Sequence, residues 1–155
     1  MTKDEIYQDV LTLKKMNAPI EIKIKMLNGL LGVLDDIWQV VGITQEALTV
    51  FSSYDFQRVS KMGINRAHLA ERHQSYKVLL EDSFSSSEWW EFFYKNNLTV
   101  LTTSKENMSK DLAWQKNYFP IDPELGLFKS KGFAWTHGQK ERDFLIALHK
   151  AEAIN

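Results

Sequence analysis

Apolar residues recur along the first part of the chain at helical spacing. Ile6, Val10 and Leu13 fall at i, i+4 and i+7, which predicts an amphipathic helix over Asp4–Met16 with Thr2 as its cap. Asn17-Ala18-Pro19 breaks it. Ile20, Ile24, Leu27, Leu31, Leu34 and Trp38 then form one stripe, and its five turns predict a helix rather than a strand despite the alternation of IEIKIK. Asn17 is a candidate cap for it, Glu21 and Lys25 make a favourable pair one turn apart, and Gly42 suits its end. Thr44 caps a third helix through Phe51. Two short helices are expected between Ser52 and His73, around Met62-Gly63-Ile64-Asn65. Tyr76–Leu80 reads as a short strand and Ser83–Ser87 as a polar turn. Glu88–Tyr94 is a compact aromatic helix with Trp89, Phe92 and Phe93 on a core face. Leu98–Thr102 is a strand, Ser104 opens a helix to about Gln115, Pro120 and Pro123 mark a loop, and Arg142–Ala153 closes the chain as a helix. The pattern predicts an α+β fold. A helical region over 1–74 precedes a mixed region over 75–155.

Composition narrows the chemistry more than the fold. The 155 residues suit one domain, and 44% apolar content with 12% aromatics suffices for a core. With 19 basic against 20 acidic residues, only a local basic face would favour nucleic acid. The absence of cysteine removes disulfides, thiolate metal sites and a thiol nucleophile. No signal-like or membrane-spanning stretch is visible, so a cytoplasmic protein without a membrane partner is expected.

The segment Asn97–Lys110, NLTVLTTSKENMSK, carries the most specific pattern. An Asn before a strand, a VLT core, and then Glu-Asn with a trailing Lys at a helix start resemble the second half of the HNH, or ββα-metal, nucleases of phages and homing elements. The resemblance covers about 15 residues strongly and perhaps 30 loosely. It implies two strands followed by a helix, with Asn97 as the structural loop residue and Asn107 as the residue holding a divalent metal. It also implies a general-base His roughly two dozen residues before Asn107, in an Asp-His or His-His pair. Counting back reaches Asp82-Ser83, where no imidazole stands. Ser83 accepts no proton near neutral pH, so the resemblance implies a degenerate member with no catalytic residue.

A second pattern lies upstream. Residues 55–73 resemble a helix-turn-helix with Gly63 in the turn, where a positive φ is easiest. Arg58, Lys61, Arg66, Arg72 and Lys77 face one acidic residue, Glu71, which makes a local basic stripe. Asn65 and Arg66 would read bases; Arg58, Lys61, His68, Arg72, Lys105 and Lys110 would complete the DNA contact set. His137 and His149 lack a third ligand nearby, and Asp35-Asp36 reads as a solvated helix face.

Together these expectations describe a double-stranded DNA-binding regulator, such as a repressor of a phage or mobile element, derived from an inactive HNH endonuclease. No cofactor is expected, and a homodimer would suit paired half-sites. One alternative is an active Mg²⁺-dependent nuclease with Asp82 and Asn107 on the metal and His73 or His68 as base. Another is a protein-binding inhibitor or immunity module.

Overall fold

The computed structural model describes residues 1–154. The chain is an α+β fold with a largely helical front half. Helix α1 (Lys3–Lys15) opens with a reciprocal cap: Glu5 N donates to Thr2 Oγ1 at 3.2 Å and Thr2 N to Glu5 Oε2 at 2.6 Å. Helix α2 (Ile20–Leu31) follows Pro19, whose fixed φ suits a helix entry. It stops at Leu31, about two turns before the apolar stripe does. Gly32 is its C-cap, and Leu34 and Trp38 lie beyond the helix in the lead-in to strand β1 (Gln39–Ile43). Two glycines three residues apart weaken the last turn enough for QVVGI to follow its β-branched preference instead.

Helix α3 (Gln45–Ser53) is capped by Thr44 as the sequence predicts. The next segment corrects the expectation of a helix-turn-helix. After a short 3₁₀ turn at Ser60–Met62 and Gly63 at φ 69°, residues Ile64–His68 form strand β2. The supposed recognition helix is therefore extended, because Arg66 and Ala67 bury in a sheet rather than on a helix face. Tyr76–Leu80, expected as a strand, lies inside helix α4 (Arg72–Glu81), where Tyr76, Leu79 and Leu80 share a buried face at i, i+3, i+4. Gln74 also falls within this helix.

Helix α5 (Ser86–Asn96) buries Trp89, Trp90 and Phe93, and Trp89 Nε1 donates to Leu79 O at 3.1 Å. Strand β3 (Leu98–Thr103) leads into helix α6 (Ser104–Met108), which ends seven residues before the expected Gln115, with only a 3₁₀ turn at Ala113–Gln115. Its cap is Thr103, one residue before the expected Ser104, and Glu106 returns the bond. Strand β4 (Phe119–Pro120), strands β5 (Ser130–Lys131) and β6 (Ala134–Trp135), and helix α7 (Gln139–Ile154) complete the chain.

The main sheet runs β2-β3-β1-β4, with β2 antiparallel and β1 parallel to β3. One core lies among α1, α2, α4 and α5 (Ile6, Leu27, Tyr76, Leu79, Trp89, Phe93). Another lies against the sheet under α3 and α7 (Ile43, Leu48, Phe51, Leu101, Phe128, Leu145). The α4–α5 pair is thus an excursion between two paired strands, and its apolar faces dock on α1 and α2. Among the described residues, no helix is long and apolar enough to cross a membrane.

Candidate functional site

Side chains alternate along β2, so Arg66 and His68 project from the same face. Trp38, in the lead-in to β1, stands between them: its ring meets His68 edge-on at 5.3 Å, and the Arg66 guanidinium lies 4.8 Å from its centre. Helix α4 begins three residues after β2, and Arg72 at its start lies 5.5 Å from the same indole. Helix α6 brings exposed Asn107 to the same place. Trp38, Arg66, Ala67, His68, Glu71, Arg72, His73 and Asn107 line one open cleft of about 420 Å³.

The electrostatics of the cleft are lopsided. Arg66 is 9% exposed, yet among the described residues it makes no ion pair with a carboxylate. Its Nη1 donates to Ser130 Oγ at 2.9 Å, and Nη2 to the carbonyls of Phe133 and Ala134 at 2.8 and 2.9 Å. Burial, with Arg58 nearby, lowers its pKa from 12.5 to about 10. His68 is pushed from 6.5 to about 4, first by burial and then by the charges of Arg72 and Arg66. Its Nε2 is buried without a hydrogen-bond partner. At neutral pH the imidazole is uncharged. Glu71 caps α4, accepting from His73 N at 3.2 Å and Gln74 N at 3.0 Å. His73 Nε2 is 2.9 Å from Glu21 Oε2 on α2.

The sequence-predicted residues therefore part company. His68, Arg66, Arg72 and Asn107 converge, with His73 on the cleft wall. Asn97 is 2% exposed; it ends α5 and donates to Phe93 O at 3.0 Å, which suits a structural role just before β3. Asn65 instead shares a hydrogen bond with Ser104 at 3.1 Å, pinning β2 to the start of α6. Arg58 lies 3.9 Å over the Trp135 ring and donates to its carbonyl at 3.2 Å, and Lys61 is exposed on the 3₁₀ turn. Asp82 and Ser83 sit in the exposed turn after α4, where the Asp82 carbonyl accepts from Lys14, and neither lines the cleft that holds Asn107. Lys105 lines a different cleft with Thr44, Glu106 and Trp114, and Lys110 is exposed beyond α6.

Sequence reasoning missed Trp38, absorbed into a helical stripe, and the β5–β6 hairpin, whose strands are too short to show a period. Comparison of the chain with protein-family models, with curated proteins and with solved structures found no match to any of them.

Proposed function

We propose that this chain acts on nucleic acid at the phosphodiester backbone, with His68 as general base and Asn107 as an oxygen anchor for Mg²⁺. One observation carries the reading: the imidazole of His68 and the amide of Asn107 line the same open cleft beside two guanidinium groups. The order β2, β3, α6 supports it, because a strand pair followed by a helix is what the HNH resemblance implies. His68 ends β2, the position at which the resemblance would have its general base, and α4 and α5 lie between the two strands.

The chemistry follows from the groups present. A phosphodiester is an anion, and Arg72 is exposed at the cleft to draw it in. Neutral His68 would act through Nδ1, since Nε2 is closed to solvent. Nδ1 takes a proton from a water attacking phosphorus, the P–O bond to the leaving oxygen breaks, and that oxygen departs with the bonding pair and is protonated by solvent. The arriving negative charge opposes the pull of Arg66 and Arg72 and raises the basicity of His68 when substrate is bound. Among the described residues no three His, Asp or Glu side chains converge on a metal site. The Asn107 amide and the Glu71 carboxylate are oxygen donors on the cleft wall. That set fits Mg²⁺, which keeps several waters and takes further ligands from substrate phosphate. When bound, the ion would neutralise charge on the phosphate.

A second reading is a DNA-binding regulator without cleavage, a homodimer on paired half-sites being one form. The pKa of about 4 favours it, since so acidic an imidazole is a poor base. Labelled single- and double-stranded DNA incubated with Mg²⁺ and assayed for both retention and cutting separates the two. Cutting that falls by roughly 10²-fold or more in His68→Ala, and is lost in Asn107→Ala, supports the nuclease. Retention without cutting supports the regulator. Absence of retention at low salt overturns both and leaves a protein-binding module, since phosphate contacts are strongest there.

A further inference from the structure

The β5–β6 hairpin turns through Gly132 and Phe133, since Lys131 pairs with Ala134. Gly132 has φ 60° and Phe133 does not share the positive φ, the arrangement of a tight turn with glycine first. A polar residue would suit the second position. Instead the tip carries a phenylalanine that is 54% exposed, beside exposed Lys131.

A lone exposed phenylalanine needs no explanation. This one is held in place from behind. Arg66, the buried cation of the cleft wall, spends Nη2 on the carbonyls of Phe133 and Ala134 and Nη1 on Ser130. Arg58 stacks on Trp135 from the outer side. The Phe133 ring rests 5.9 Å from Trp38, centre to centre, and against the Gly32 backbone. Trp38 in turn touches His68. One contiguous array of aromatic and guanidinium groups thus runs from the cleft to an aromatic ring that is half exposed.

We infer that Phe133 is a stacking platform for an unpaired nucleobase adjoining the phosphate in the His68 cleft, so that single-stranded nucleic acid is the preferred substrate. The inference rests on the reading of the cleft given above. A base inside a duplex has both faces covered by its neighbours, whereas an unpaired base offers one to the ring. Lys131 and Arg72 supply cations for phosphates flanking that base, a charge complement that an apolar protein partner would not need. Packing of the ring against Trp38 and Gly32 restrains it, so less side-chain freedom is lost on binding.

The test is anisotropy titration, without divalent metal, of a labelled single-stranded DNA oligomer and a blunt duplex of the same sequence. Wild type, Phe133→Ala, Phe133→Trp and Lys131→Ala are compared, with circular dichroism to check the fold. Phe133→Ala should weaken single-strand binding on the order of ten-fold, leave duplex binding unchanged and preserve the salt slope. Phe133→Trp should restore or exceed wild type, and Lys131→Ala should flatten the slope instead. Equal loss on single strand and duplex, or no loss on either, would overturn the platform while the His68 reading stands, provided wild type binds. If wild type binds neither probe at low salt, the reading of the cleft fails and this inference with it.

Discussion

Lowering the pH should selectively destabilise the fold through His68. The imidazole is held at about 4 inside the protein and returns to about 6.5 when the chain unfolds. The unfolded state therefore binds the proton more tightly, so the stability from the neutral ring is complete above pH 6.5 and is lost as pH falls toward 4. Between pH 7 and pH 5 this linkage removes about 2 kcal/mol, and below pH 4 the loss levels off. The cause is local: burial of the ring first, then the guanidinium groups of Arg72 and Arg66. Urea unfolding followed by tryptophan fluorescence across this range gives the total, and the same series on His68→Gln subtracts the carboxylates common to both proteins. The difference between the two curves should close by about 2 kcal/mol on going from pH 7 to pH 5. Parallel curves would refute the claim that His68 is neutral because it is buried beside two cations. For the nuclease proposed above, the same depressed value predicts a kcat/KM profile with no acid limb between pH 7 and pH 5, and a kcat limb displaced upward once bound phosphate offsets the arginines.

Three further outcomes follow from packing. Gly42→Ala would drive a methyl group onto the Tyr118 ring and should cost about 1–3 kcal/mol in chemical denaturation, with Tyr118→Ala in the same chain relieving most of the clash. Trp89→Ala empties the helical core and breaks the bond to Leu79, so a loss of about 3–5 kcal/mol is expected by calorimetry, while Trp89→Phe should cost less. Arg66→Lys cannot reproduce the fork that holds the β5–β6 hairpin. Amide exchange at Ser130 and Thr136, which donate to Asp35 and Lys129, should quicken while amides of α1 and α5 stay protected; unchanged hairpin exchange would contradict the anchoring role.

Elements that declare themselves through local chemistry were legible in the sequence: α1 with Thr2, α3 with Thr44, the aromatic face of α5, and β3, though the helix after it is capped by Thr103 rather than Ser104 and ends at Met108 rather than Gln115. The fold class and the core role of Trp89 and Phe93 follow from the same signals. What could not be read depended on partners remote in sequence. Strand β1 is a short β-branched run at the end of a helical stripe, and only pairing with β3 distinguishes the two. Residues 64–68 had helix-turn-helix spacing, but pairing with Leu98–Thr103, some thirty residues away, made them extended. Counting a fixed interval back from Asn107 assumed a tight connection between strands. With α4 and α5 in that connection, the count reaches the turn after α4, whereas His68 comes to the cleft of Asn107 from the paired strand, a juxtaposition that no fixed interval describes.

The placement of α4 and α5 also bears on how the molecule is assembled in time. Leu69 N meets Leu98 O at 3.0 Å, so the two ends of the excursion close onto each other. Bringing those ends together from an open chain carries a loop-closure cost that local contacts alone do not offset. Docking of Tyr76, Trp89 and Phe93 onto α1 and α2 shortens the gap before β2 and β3 pair. A helical layer that docks first would therefore ease closure of β2 on β3, and with it formation of the cleft. Substitutions in that layer would slow acquisition of the cleft without touching any group that lines it.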